Sequence, residues 1–185
     1  MKQYFRLYLT LVLCVFFRAA CAMTSPWEVT LGYGNGNLVG FDHSNGVLEW
    51  QGALGYFPDN WTYGDFQLGG QFSTARLEGN AVTGPNNLTI GAISPVIRWS
   101  FLTTPTVQPF LEAGVGVGAF SGTQFDGRSF GSVFTFRDFF GVGLRTNTRY
   151  PMVFGVDILH YSNASLAAPN PGITMPVLGY MGVCF

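Results

Sequence analysis

The feature that most constrains this chain is an alternation of apolar and polar side chains with a period of two, repeated along most of its length. It is cleanest where Phe66, Leu68 and Phe72 share one parity while Asp65, Gln67, Gln71 and Ser73 share the other. Successive side chains of a strand point to opposite faces, so this pattern describes a strand with one apolar and one polar face; a helical period of 3.6 would scramble it. Trp27, Val29, Leu31 and Tyr33 alternate in the same way with Glu28, Thr30, Gly32 and Gly34, and Leu48, Trp50, Leu54 and Tyr56 stand against Glu49 and Gln51. Further segments of this kind run over 88–101, 107–120, 130–146, 153–162 and 173–185, separated by turns rich in Gly, Pro, Asn and Thr. Pro95 weakens the pattern of the first of these, because proline cannot donate to a ladder.

About eight antiparallel strands, each with one apolar and one polar face, close into one of two objects. A soluble barrel turns the apolar face inward and needs a charged exterior. A membrane barrel turns it outward to lipid. Charge decides between them. Only 10% of the residues are charged, and beyond residue 22 six arginines and no lysine stand against ten acids, too few to solvate an exterior. The same scarcity leaves no basic patch for nucleic acid. No stretch of 18 apolar residues runs uninterrupted, so no transmembrane helix is expected. The expected fold is all-β, an eight-stranded antiparallel transmembrane β-barrel.

The first residues read as an export signal. Lys2 and Arg6 precede an apolar run over 7–17, and Ala20-Cys21-Ala22 supplies a small-residue cleavage site. The expected division is a signal peptide at 1–22 and a barrel at 23–185. Arg18 stands where a lipoprotein signal has an aliphatic residue, so Cys21 does not read as a lipid anchor. With Cys14 and Cys21 in that signal, Cys184 has no partner for a disulfide. The last segment ends on Phe185, in register with Val183, Met181 and Val177, and is similar to the assembly signal of bacterial outer-membrane barrels. The expected location is therefore the bacterial outer membrane.

Metal and cofactor chemistry find little to use. The two histidines, His43 and His160, are far apart, and one thiol does not make a metal site. Gly114, Gly116 and Gly118, and Gly141 and Gly143, alternate with apolar residues inside strands instead of opening a helix, so they read as slim lumen positions and not as a nucleotide loop. His160 and Ser162 are different. Two residues apart on a strand, they project from the same face and can approach each other. Serine is a weak nucleophile at neutral pH, and a neighbouring imidazole that takes its proton activates it. Their face carries Phe154, Val156 and Ile158, while Asp157 and Gly155 take the other, so the pair should face lipid. If both termini are periplasmic, the seventh strand ends at the outer surface. There an imidazole and a hydroxyl beside hydrocarbon cost stability unless something uses them.

The residues around this pair carry a resemblance. His160-Tyr161-Ser162-Asn163-Ala164, followed by Pro169-Asn170 and Gly172-Ile173, resembles the signature of the lipid A 3-O-deacylases, and residues 109–123 resemble their central strand. The match covers roughly the second half of the chain. It implies an outer-membrane barrel whose Ser-His-Glu triad removes the 3-position acyl chain from lipid A. Ser162 is then the nucleophile and His160 the base, with lipopolysaccharide and membrane lipids as partners and no cofactor. The family's glutamate falls twelve residues after its serine, a position held here by Thr174, and no Asp or Glu follows Asp157. Loss of that acid costs a serine protease about four orders of magnitude in turnover.

Three groups could stand in for the acid. Thr174 could accept the imidazole N–H, since a hairpin centred near Ala168 puts it opposite Ser162 and diagonal to His160. Asn163 or Asn170 could do so, as an amide does in outer-membrane phospholipase A, which the arrangement also resembles. Asp138 could do so because it interrupts the outward register of Phe134, Phe136, Phe140 and Val142, and a turn near Arg149 brings it almost opposite His160. Asn163, Asn170 and the amides near Gly172 are also candidate donors to an oxyanion. The leading expectation is an esterase acting on lipid A. The alternatives are a barrel that has lost catalysis and serves as a structural or lipopolysaccharide-binding protein, and a phospholipase on the same scaffold.

Overall fold

A computed structural model describes residues 26–38, 46–81 and 84–185; the segment read as an export signal and His43 lie outside them. The strands are β1 (Trp27–Leu38), β2 (Val47–Tyr56), β3 (Thr62–Tyr63), β4 (Phe66–Glu78), β5 (Asn87–Ser100), β6 (Val107–Phe120), β7 (Gln124–Phe125), β8 (Arg128–Ser129), β9 (Phe134–Thr146), β10 (Met152–Ser162) and β11 (Ile173–Cys184). Eight of them form an antiparallel sheet in the order β2-β1-β11-β10-β9-β6-β5-β4, and β2 pairs again with β4. That last ladder, from Leu48 opposite Glu78 to Tyr56 opposite Gly70, closes the barrel and leaves no open edge. The expected fold class is the one observed.

Alternation sorts the side chains as the sequence implies. Leu31, Tyr33, Trp50, Phe72, Ile93 and Met181 are exposed on the outer wall. Pro95 does not end its strand: it lies on the exposed face opposite Gly70, and the β5–β6 register is the same at Ile93 opposite Val117 and at Val96 opposite Gly114.

The interior is a packed plug. An eight-stranded barrel is just wide enough for its own side chains to fill it. Toward the end that holds both termini, Arg98 donates to Glu28 at 2.7 Å and to Glu112 at 2.8 Å, and its guanidinium lies 3.7 Å from the ring centre of Phe57. The Tyr180 hydroxyl also donates to Glu112. Higher up, Arg137 donates to Gln51 at 3.0 Å and the Tyr161 hydroxyl to Glu49 at 2.9 Å. Gly114 and Gly141 are slim because the lumen is crowded there: a Cβ would fall 2.3 Å from the Phe139 ring and 1.9 Å from Asp157 Oδ1 respectively.

Two expectations are corrected. The inward face is polar over only part of the barrel; toward the other end Leu77, Leu88, Ile90, Leu159, Ile173 and Met175 fill it. Bulk water cannot enter so narrow a lumen, so apolar packing is as suitable there as a polar network. The strand expected over 130–146 begins at Phe134, and the residues before it fold over this apolar end as the β7–β8 hairpin. Asp126 and Gly127 both take positive φ at its tip (52° and 74°), the conformation an Asp-Gly hairpin turn favours. Phe125 is fully buried beneath it, and Asp126 Oδ1 accepts from the amides of Asn80 and Ala81 at 2.8 and 2.6 Å.

Arg98 is buried between two carboxylates, so Arg98→Ala takes the close ion-pair partner from both, leaving Glu28 with Arg145 at 3.9 Å and Glu112 with the Tyr180 hydroxyl. We expect a loss of about 3–5 kcal/mol in reversible denaturant unfolding from detergent or lipid. Arg76→Ala, which removes an ion pair to Glu78 whose arginine is 59% exposed, should cost under about 1 kcal/mol in the same assay.

Candidate active site

Strand β10 carries its last residues alternately inward and outward. Leu159 and Tyr161 are buried in the lumen, and the side chains between and beyond them, His160 and Ser162, lie half-buried on the outer face above the exposed Ile158. Anchoring Tyr161 to Glu49 inside thus holds its two neighbours outside. The Ser162 carbonyl accepts from the buried Thr135 hydroxyl at 3.3 Å, which ties the strand end to β9.

On the β9 side the register is the expected one, with Asp138 directly opposite His160 and Phe136 opposite Ser162. On the β11 side it differs. Thr174 stands opposite His160 itself, not opposite Ser162. The cause is an irregularity between Asp157 and Leu159: Asp157 pairs with Leu178, but Leu159 pairs with Met175, so the register changes by one before it reaches the site. In consequence His160 Nδ1 lies 2.8 Å from Thr174 Oγ1. With its proton on Nδ1 the ring donates to that hydroxyl and leaves Nε2 free to accept. Among the described residues this is the ring's one hydrogen bond, and Asp138 makes no hydrogen bond or ion pair although it shares the outer face.

The β10–β11 turn runs beside this pair. The Asn163 amide donates to Asn170 Oδ1 at 3.0 Å, its side-chain Nδ2 to the Ala167 carbonyl at 2.7 Å, and the Leu166 amide to the Asn163 carbonyl at 3.0 Å. The amide of Gly131 donates to the Pro169 carbonyl at 2.6 Å and braces the turn from the segment before β9. Asn163 is therefore committed to the turn, whereas Asn170 commits its oxygen. Gly172 has φ +58°, and a Cβ there would stand 3.1 Å from His160 Cε1 and 3.6 Å from Nε2. Its bare backbone lies against the ring edge that must receive a proton. The sequence reading missed the bracing by Thr135 and Gly131 and the irregularity that aligns Thr174; none of these has a local signal.

A family model described as lipid A 3-O-deacylase (PagL) matches residues 39–181. The chain belongs to that family. It is 34% identical over 131 residues to lipid A deacylase PagL of Pseudomonas aeruginosa, covering 71% of this chain and 68% of that one. It is 29% identical over 168 residues to lipid A deacylase PagL of Bordetella bronchiseptica, covering 87% and 86%. Among solved structures it is similar to the outer membrane enzyme PagL, with a TM-score of 0.68 and 26% identity over 85% of this chain and 99% of that one. Neisserial surface protein A shares the fold alone, with a TM-score of 0.59 and 12% identity over 87% and 98%. Family and fold together make this an outer-membrane barrel.

Gly172→Ala tests the packing against the imidazole. A side chain in the left-handed region costs roughly 1–2 kcal/mol, and its methyl must displace the ring. We expect a lowered unfolding midpoint together with a changed chemical shift of the His160 Cε1 proton in NMR of the micelle-bound barrel.

Proposed function

We propose that this barrel is an esterase that hydrolyses the ester-linked 3-position acyl chain of lipid A by serine-histidine chemistry. The observation that carries the reading is the outward-facing His160, held through Nδ1 by Thr174 and two residues from Ser162 on a largely apolar outer wall. Buried apolar surface elsewhere explains itself, but a polar pair on a lipid-facing strand does not. The substrate class follows from where the pair faces. A carbonyl reaching Ser162 from that side belongs to a lipid whose chain can lie along the exposed Ile158 and Phe140. Family membership supplies the lipid: the relatives are named lipid A deacylases.

In this mechanism Ser162 Oγ attacks the ester carbonyl carbon while its proton passes to His160 Nε2. The Thr174 hydroxyl accepts from Nδ1–H in the tautomer that leaves Nε2 able to take that proton. Collapse of the tetrahedral intermediate breaks the bond to the sugar oxygen, and that oxygen takes the proton from Nε2. Water then attacks the acyl-serine and gives a proton to the same nitrogen; as the second tetrahedral intermediate collapses, that proton passes from Nε2 to Ser162 Oγ and the free acid leaves. Negative charge on the carbonyl oxygen needs nearby donors; the Asn170 Nδ2 group and the turn amides beside Gly172 are the groups proposed for it. The hydroxyl and the ring are not hydrogen-bonded before substrate arrives, which suits a pair that tightens on binding.

Thr174 favours one second reading: a hydroxyl orients an imidazole but adds no charge, as expected of a barrel whose chemistry has lapsed and that retains only lipid binding. One experiment separates the two. Mass spectrometry of lipid A incubated with the refolded protein should show loss of one 3-linked acyl chain, abolished in Ser162→Ala and accelerated by about tenfold in Thr174→Glu, a fraction of what a triad acid is worth. Acyl loss from Thr174→Glu alone marks lapsed chemistry. Release of fatty acid from glycerophospholipid instead of lipid A reassigns the site to a phospholipase.

A further inference from the structure

A serine-histidine pair asks two things of its third member: to fix the imidazole's tautomer and orientation, and to put negative charge beside the imidazolium that forms when it takes the serine's proton. Thr174 supplies the orientation through its 2.8 Å hydrogen bond to Nδ1 and can accept from Nδ1–H, but supplies none of the charge. On the other flank of β10, Asp138 is the direct register partner of His160. Directly opposed residues in an antiparallel ladder have Cα atoms about 4.5–5.5 Å apart with side chains on the same face, so the carboxylate shares the ring's side of the wall, without a hydrogen bond or ion pair to it. It is half-buried on the outer wall, where the next outward residue on its strand, Phe140, is 54% exposed.

Asp138 is otherwise hard to account for. The outward-facing carboxylates on the described strands are Glu78, which pairs with Arg76, and Asp138, which makes no hydrogen bond or ion pair among the described residues. An ionisable group on a membrane-facing wall is costly and is retained for a use. Its sequence neighbour Arg137 does not neutralise it, because that guanidinium points into the lumen, where it donates to Gln51 and lies 4.4 Å from the Phe139 ring centre. The strand-borne acid nearest in sequence to His160, Asp157, is likewise inward and buried.

We propose that the two tasks of a triad acid are divided here between two strands: Thr174 on β11 orients His160, and Asp138 on β9 provides the charge that stabilises its protonated form during acyl transfer. This inference rests on the proposed esterase reading. Asp138 is on this account a positioning residue acting through His160. It touches neither nucleophile nor ester and exchanges no proton, so the only proton that changes place is the one moved by His160.

The test uses the full refolded protein with two readouts: deacylation of lipid A, resolved into kcat and KM, and the rate at which an alkyl fluorophosphonate labels Ser162. Asp138→Asn is near-isosteric and takes a charge off the lipid-facing wall, so the barrel should fold; resistance to unfolding in cold detergent checks this. Asp138→Asn should lower kcat and the labelling rate by about ten- to a hundredfold, part of the loss expected when an acid is removed with geometry intact, while KM stays within about twofold. Asp138→Glu should restore most of the rate. In a Thr174→Glu background, where charge arrives from β11, Asp138→Asn should change the rate less than about twofold, a coupling that distant structural damage does not produce. Unchanged labelling in Asp138→Asn, or a rise in KM at constant kcat, overturns the proposal and makes Asp138 inert or a substrate contact. Absence of labelling in both the wild type and Thr174→Glu refutes the nucleophile assignment itself.

Discussion

Closure of the sheet by the β2–β4 ladder is the constraint on which everything else depends. Hydrocarbon offers no partner for an amide or a carbonyl, so a strand can cross it only if both its neighbours are other strands. Once the ring is closed, each strand has an inside and an outside that meet different media, and side-chain parity becomes an assignment to one or the other. Glu28, Glu49, Glu112, Arg98, Arg137 and Asp157 fall on the inner parity and are buried. Against that division an imidazole, a hydroxyl and a carboxylate on the outer parity are anomalies that stability alone does not explain.

The polar interior also determines where those groups stand. Tyr161 is bonded to Glu49 across the lumen, and the hydroxyl of Thr135 holds the carbonyl of Ser162. Because adjacent strand residues face opposite ways, fixing Tyr161 inside fixes His160 and Ser162 outside without any contact to them. The apolar layer works in the same direction, with Leu159 on the same strand and Ile173 and Met175 on the neighbouring β11. A site on a membrane-facing wall has no protein above it to form a pocket, so its precision comes from the packed side chains behind it and from the turn at Gly172 beside it.

Strand parity was legible because it is local. Trp27 to Gly34 and Phe66 to Ser73 announce their two faces within eight residues, and the His160, Ser162 spacing announces a shared face in the same way. The opposition of Asp138 and His160 was legible too, since the β9–β10 turn is short and its register unbroken. The pairing of Thr174 with His160 was not, because the irregularity at Asp157 to Leu159 is a property of two strands packed together and leaves no mark on either. Nor was the apolar upper lumen, which depends on how narrow the closed barrel is. The β7–β8 hairpin had a signal in Asp126-Gly127 that the strong apolar pattern of the following strand obscured.

The threonine at position 174 also has a physical logic of its own once Asp138 is considered. Two carboxylates flanking one imidazole repel each other whenever the ring is neutral, and beside hydrocarbon that repulsion is poorly screened. A site with a carboxylate on β9 therefore gains less from a second on β11 than a site with none, and a hydroxyl there keeps the orienting hydrogen bond without adding charge to the membrane-facing wall. The two positions flank His160 from its two neighbouring strands. On the proposed division of roles the residue at either one bears on what is useful at the other, so the hydroxyl at position 174 has to be weighed together with the carboxylate at position 138.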